Sequence, residues 1–207
     1  MDVVHRLQKT FSKLEPGCRL EPFGSFAAGL YLPTGDLDLV LITRGYSGSR
    51  FARSAKNLFW SIHDKLRREQ IAAPGSLQPI SKAKVPIIKF VDAFTGLKVD
   101  LSFNNETGII ANKTFHVWRE RYPAMPILVA VVKQYLMMRG LNDVASGGLG
   151  GFSIICLVTN LLQHHIPSAP VPNLGELLLH FFHLYGTVFN KRDLAIRLEP
   201  PGYVRKV

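Results

Sequence analysis

Two aspartates separated by a single residue, Asp36 and Asp38, and a third at Asp100 are the residues of this chain whose type and spacing point to chemistry. Side chains alternate along a strand, so residues two apart share a face and Asp36 and Asp38 present both carboxylates to one point. Asp100 stands in the apolar run Lys98-Val-Asp-Leu-Ser-Phe103, where an unpaired buried carboxylate is costly. A hairpin strand lying beside Asp36 and Asp38 would bring it in as the third. Three converging carboxylates repel one another unless cations lie between them. Hard oxygen ligands suit Mg²⁺ or Mn²⁺, and a pair of such ions stabilises the attacking and leaving oxygens of an in-line phosphoryl displacement. Just upstream, Gly24-Ser25 follows Phe23 and offers a pliable backbone and a hydroxyl to a triphosphate. A bare Asp-x-Asp means little; these surroundings give it weight.

The elements that must position these groups follow from periodicity. Val3, Val4, Leu7, Phe11 and Leu14 recur at spacings of three and four and predict an amphipathic helix closed by Pro16 and Gly17. Residues 37–42 read as a strand covered on both faces, with Leu37, Leu39 and Leu41 on one side and Asp38, Val40 and Ile42 on the other. A loop over 44–50 leads into a basic helix over 53–70 with Ala55, Leu58, Phe59, Ile62 and Leu66 inward. Strands over 85–94 and 97–103 follow, joined by Thr95 and Gly96 in a tight hairpin. Beyond residue 104 the pattern turns helical. Apolar helices are expected from Pro126 to Arg139, from Phe152 to Gln163 and from Leu174 to Tyr185, stopped by Gly140 and Gly186 where glycine does so. The expectation is an α+β fold: a small mixed-sheet domain over 1–106, then an all-helical domain over 107–207 that is cut short at its C-terminal end.

Composition bounds what such a chain can be. Its 207 residues are 47% hydrophobic and 19% charged, which suits a packed core and excludes wholesale disorder. No apolar run is long enough to span a bilayer, no secretory leader is evident at the start, and an intracellular chain is the expectation. Cys18 and Cys156 are too few for a disulfide framework or a cysteine-rich zinc site and read as buried thiols. His180 and His183 lack a third ligand and read as partly buried helix residues. Net charge is +10, and the window 44–89 carries ten basic residues against Asp64 and Glu69, or +8. Arg44, Arg50, Arg53, Lys56, Lys65, Arg67 and Arg68 lead this window and form a candidate RNA or partner face.

Taken together, Gly24-Ser25, Gly35-Asp-Leu-Asp38 and Val99-Asp-Leu101 resemble the signature of the polymerase-β-like nucleotidyltransferases. The run from Leu141-Asn142 through Gly147-Gly-Leu-Gly-Gly-Phe-Ser-Ile-Ile-Cys-Leu-Val158, with Asn173-Leu-Gly175 and Phe181-Phe-His-Leu-Tyr-Gly186, is similar to the non-canonical poly(A) polymerases of the nuclear TRAMP exosome-cofactor type. The resemblance implies addition of AMP from ATP to RNA 3′ ends with release of pyrophosphate, in nuclear RNA surveillance. It implies two Mg²⁺ or Mn²⁺ ions on Asp36, Asp38 and Asp100, with Asp100 also activating the RNA hydroxyl. It further implies that Gly24 and Ser25 meet the triphosphate, Gly108 and Asn112 the ribose, Lys133 the phosphates, and Gly151 with Phe152 the base, where many relatives carry Ser-Tyr. A zinc-knuckle RNA-binding protein and an exosome-associated helicase are the implied partners, and the nucleus, including the nucleolus, the implied location. Relatives continue past the equivalent of Val207 into a base-reading loop, and usually begin earlier. A uridylyltransferase, or an impaired RNA- or partner-binding module, are the alternatives.

Overall fold

The structure, a computed structural model, describes residues 2–43, 49–83, 85–164 and 173–206. Two compact units emerge: Met1–Ala28 with Pro33–Asn112, and Gly29–Leu32 with Lys113–Val207. In the first, α1 (Asp2–Phe11), β1 (Arg19–Pro22), the single-turn α2 (Gly24–Ala27), β2 (Leu37–Ile42), α3 (Ser49–Arg68), β3 (Gln78–Ile80), β4 (Ile87–Val91) and β5 (Lys98–Phe103) follow in order. The helix α4 (Thr107–Arg121) then leads into the second unit.

The five strands make one mixed sheet in the order β1-β2-β5-β4-β3. Only β2 and β5 run parallel; the other neighbours are antiparallel. Alternation sorts the side chains. Leu37, Leu39 and Leu41 of β2, Val99 and Leu101 of β5, and Ile88 and Phe90 of β4 point into one core with Val3, Leu7 and Phe11 of α1 and Leu58, Phe59, Ile62 and Leu66 of α3. Fully burying each such Leu, Ile or Phe contributes roughly 1.5–3 kcal/mol, which fixes the register of every strand. Asp38, Asp100 and Lys89, at the positions between, are therefore set on the opposite face.

Three sequence expectations change here. The hairpin between β4 and β5 is not a two-residue turn: residues 92–97 form the loop, closed by Asp92 N–H to the Leu97 carbonyl and Gly96 N–H to the Asp92 carbonyl, both 2.8 Å. The reason is Asp92, fully buried, whose carboxylate accepts both hydrogen bonds from Arg6 Nη2 (2.9 and 2.8 Å) and one each from Thr95 N–H and Oγ1 (2.9 and 2.6 Å). The strand before it is shorter than expected, beginning after Pro86, which has no N–H to donate. Helix α3 begins earlier than the predicted 53 and stops at Arg68, where Gln70 turns left-handed (φ +54°).

The second unit holds α5 (Met125–Met138), a 3₁₀ turn (Val144–Ser146), α6 (Gly151–His164) and α7 (Leu174–His183), which runs on into a π-helical turn, Leu184–Val188. Pro126 sits in the first turn of α5, and Asn173 caps α7 by accepting from Gly175 and Glu176 N–H at 3.0 and 3.2 Å. Gly186 lies inside the π turn rather than ending the helix. The second half is also not wholly helical. Strands β6 (Leu194–Leu198) and β7 (Pro201–Arg205) form a hairpin against α6, where Gln163 Nε2 donates to the Leu198 carbonyl (3.1 Å) and His164 stacks on Tyr203 with centroids 5.1 Å apart. Leu194, Ile196 and Leu198 do alternate, but the run is short and its order depends on this docking. Cys18 and Cys156 are buried free thiols, and His180 and His183 are exposed.

Candidate active site

The parallel pairing of β2 with β5 places Asp38 directly beside Asp100, and the antiparallel pairing of β5 with β4 places Asp100 beside Lys89. Cross-strand neighbours on one face have Cβ atoms about 4.5–5.5 Å apart, so three charged side chains form a row across three strands. Lys89 Nζ donates to Asp100 Oδ2 at 2.5 Å. Asp36 precedes β2 by one residue, and its charge acts on both members of that pair. Sequence reasoning missed Lys89. Its signal was a lone cation at the middle of the apolar strand Ile87-Ile-Lys-Phe-Val91, on the opposite parity to Ile88 and Phe90.

Burial raises the Asp100 pKa, and the repulsion of Asp36 adds to this, while the Lys89 hydrogen bond and charge lower it; the balance leaves the carboxyl above its ordinary value. Burial pulls the Lys89 ammonium the other way, and its hydrogen bond to Asp100 with the fields of Asp100, Asp36 and Asp38 more than offsets that, so Lys89 stands above its ordinary value. The cluster is thus one cation among three carboxylates. An excess of negative charge at hard oxygen donors is the chemistry that a divalent cation satisfies, and on this ground the residues fit one. Among the described residues, however, no three His, Cys, Asp or Glu side chains are gathered into a ready ligand set.

Gly24 lies against the row. Its φ is +68°, and a Cβ there would stand 2.2 Å from Asp38 Oδ2, so only glycine allows both the backbone turn and the carboxylate. Phe23 N–H donates to the Asp38 carbonyl (2.9 Å), which ties this turn to β2. Ser25 follows within α2. Gly108, in the first turn of α4, has the Phe23 ring where a Cβ would be, at 2.2 Å. Asn112, one turn on, is buried with Oδ1 lacking a hydrogen-bond partner. These residues share the first unit with the aspartates. Lys133, Gly151 and Phe152 belong to the second unit and form a group there: Lys133 Nζ donates to the Leu30 carbonyl (2.8 Å), and a Cβ on Gly151 would stand 3.2 Å from that same Nζ. Phe152 is exposed, its ring 5.6 Å from Phe115.

Of the basic residues expected on one face, Arg44 lies outside the described residues, as do the side chains of Arg50, Arg53 and Lys56 on α3. Arg67 is 70% exposed with Asp64 at 3.6 Å, and Arg68 Nε donates to the Asp64 carbonyl. Lys65 differs: its side chain is only 13% exposed and pairs with Glu69 at 2.5 Å, so it adds little to an open cationic surface. Sequence reasoning passed over Trp60, 38% exposed and edge-on to His63. His63, Arg67, Gln70, Pro74, Leu77 and Ala93 are among the residues that line a cleft of about 660 Å³.

The fold, with a mixed sheet carrying paired aspartates on the face opposite its core and a helical unit after it, is that of a nucleotidyltransferase core. The chain belongs to the family described as poly(A) RNA polymerase, mitochondrial-like, central palm domain, which matches residues 1–120; residues 173–207 match the Cid1 family poly A polymerase segment. It is 39% identical over 198 residues to Poly(A) RNA polymerase protein 2 of Saccharomyces cerevisiae, covering 93% of this chain and 33% of that protein. It matches the solved polymerase core of TRAMP, an RNA surveillance complex, with a TM-score of 0.83 at 36% identity, over 99% of this chain and 63% of the other. The Cid1 poly(U) polymerase shares the fold, with a TM-score of 0.80 at 20% identity, over 99% of this chain and 72% of that one. The chain spans about a third of the length of the curated relatives it matches.

Proposed function

We propose that this chain is the catalytic core of a template-independent RNA 3′-end adenylyltransferase. In the reaction the 3′-oxygen of RNA bonds to the α-phosphorus of ATP, the bond from that phosphorus to the β-bridging oxygen breaks, and pyrophosphate leaves. The observation that carries this reading is the side-by-side placement of Asp38 and Asp100 on parallel strands, in a chain of this family. Asp36, Asp38 and Asp100 would hold two Mg²⁺ or Mn²⁺ ions, which supply charge neutralisation to the attacking and leaving oxygens. Asp100 would also help to draw the proton from the 3′-hydroxyl. Gly24 and Ser25 give the triphosphate a close backbone approach and a hydroxyl. Gly108 and Asn112, whose Oδ1 is unpartnered, suit a ribose hydroxyl. Lys133 offers a point charge to phosphate, with Gly151 leaving room for it, and Phe152 a ring for the base.

In this reading residues 1–106 are the catalytic domain and 107–207 the helical central domain. The α3 surface, with Arg67 and the exposed Trp60, is the RNA face, since cations interleaved with an aromatic ring hold single strands. A zinc-knuckle protein and a helicase as partners, and the nucleus as location, are part of this proposal, and the likeness to the polymerase core of TRAMP, an RNA surveillance complex, supports work on RNA within an assembly. No described helix is long and apolar enough to cross a membrane. The test is incubation of the chain with an RNA primer, Mn²⁺ or Mg²⁺, and each nucleoside triphosphate in turn. Extension with ATP above the other three is the expected result. Extension with UTP alone would assign uridylyl transfer, and RNA binding without extension would assign a binding module.

A further inference from the structure

We propose that the Lys89 ammonium is a built-in stand-in cation: it occupies the carboxylate row when no metal is bound, and a divalent ion must displace it from Asp100. The inference rests on the reading of Asp36, Asp38 and Asp100 as metal ligands and adds how that site is kept when empty. The first support is position. Lys89 is the neighbour of Asp100 in the β4–β5 register as Asp38 is its neighbour in the β2–β5 register, so Asp100 is shared between a cation on one side and a carboxylate on the other. The second is contact: Nζ stands 2.5 Å from Asp100 Oδ2, a direct charge-assisted hydrogen bond that takes up an oxygen a metal would need. The third is freedom to leave. Ile88 and Phe90 anchor the Lys89 backbone in the core, yet its side chain is 39% exposed, so the flexible stem has open solvent to swing into while the strand stays fixed.

While Nζ holds Asp100 Oδ2, that oxygen faces the ammonium and a divalent ion must compete for it. The competing account makes Lys89 a permanent brace that holds Asp100 in place for the metal. The two differ in sign. A competitor weakens metal binding, so its removal tightens it; a brace strengthens metal binding, so its removal loosens it.

The experiment is a Mn²⁺ titration of the full chain without nucleotide or RNA, followed by the loss of the free-ion electron paramagnetic resonance signal. Wild type, Lys89→Met, Lys89→Gln and Lys89→Arg are compared, with thermal melts reporting that each is folded. The two neutral variants are expected to bind Mn²⁺ about tenfold more tightly, equivalent to about 1.4 kcal/mol. Lys89→Arg keeps the charge and is expected to bind no more tightly than wild type. Using two neutral side chains of different polarity keeps the result readable if one variant misfolds. Equal or weaker binding in the neutral variants overturns the stand-in role and leaves the metal reading standing. Absence of Mn²⁺ binding by wild type and variants alike overturns the metal reading itself, and this inference with it.

Discussion

Gly24 is the most exposed point of the account to a single methyl group. Adding a Cβ there forces a side chain into the left-handed region at φ +68°, which costs roughly 1–2 kcal/mol. It also puts that carbon 2.2 Å from Asp38 Oδ2, against at least 3.4 Å in ordinary contact, so the carboxylate must retreat by about 1.2 Å. Gly96, in the β4–β5 loop, supplies the control: φ is +72°, the backbone strain is of the same kind, and nothing lies within 4 Å of the added atom. Both Gly24→Ala and Gly96→Ala are expected to melt about 2–8 °C below wild type, since each kcal/mol moves a domain of this size by about 2–4 °C. Only Gly24→Ala is expected to lose function. A reacting group misplaced by about 1 Å costs on the order of a hundredfold in rate, so AMP transfer falls by about that factor, with Mn²⁺ affinity falling alongside it. The assays are Mn²⁺ titration and AMP incorporation into an RNA primer. If Gly24→Ala keeps the activity and metal affinity of Gly96→Ala, Asp38 is not held where the reasoning requires it.

Three further outcomes are expected. For Asp92, burial raises the pKa, but hydrogen bonds from Thr95 and Arg6 more than offset it and hold the carboxyl below its ordinary value of about 4. Its contribution is therefore present above that ordinary value and lost as pH falls through the lowered one; Asp92→Asn should reduce the melting temperature at neutral pH by about 4–8 °C, for a loss of about 2 kcal/mol, and flatten the acid limb of the stability profile. Asp100 has the opposite sign: its raised pKa means that the ionised group costs stability at neutral pH and the cost is relieved as pH falls toward the folded value. Asp100→Asn should accordingly lose AMP transfer and, in chelator, lose the gain in stability that protonation of Asp100 gives as pH falls, and an unchanged acid gain would contradict this assignment. Finally, of the two tryptophans Trp60 is exposed and Trp118 buried, so oligoadenylate should quench the fluorescence of wild type but not of Trp60→Leu, with quenching weakened by Arg67→Glu and by added salt. Undiminished quenching in Trp60→Leu would remove α3 from the RNA path.

The aspartates were legible in the sequence because strand alternation is a local rule: Asp38 had to face away from Leu37 and Leu39, and Asp100 away from Val99 and Leu101. That β2 and β5 run parallel was not, because parallel neighbours are joined through α3 and the β3–β4 ribbon and no local signal states their order. Lys89 escaped notice for the same reason. Its parity is readable, but its partner is set by the register, and the register depends on a loop organised by Asp92 and Arg6, which lie 86 residues apart in sequence. Lys133 and the Leu30 carbonyl are 103 residues apart and likewise invisible to spacing. The β6–β7 hairpin was hidden because five-residue strands carry little period of their own and this pair is ordered by docking on α6.

The most direct measurement is label transfer from ATP to an RNA primer by the full chain in Mn²⁺, with wild type set beside Asp38→Asn and Asp100→Asn. Label in the α-phosphate should enter the RNA, label in the γ-phosphate should leave as pyrophosphate, and both variants should abolish the transfer. Transfer undiminished in either variant, or γ-label retained on the RNA, would contradict a nucleotidyl-transfer site built on these two strands.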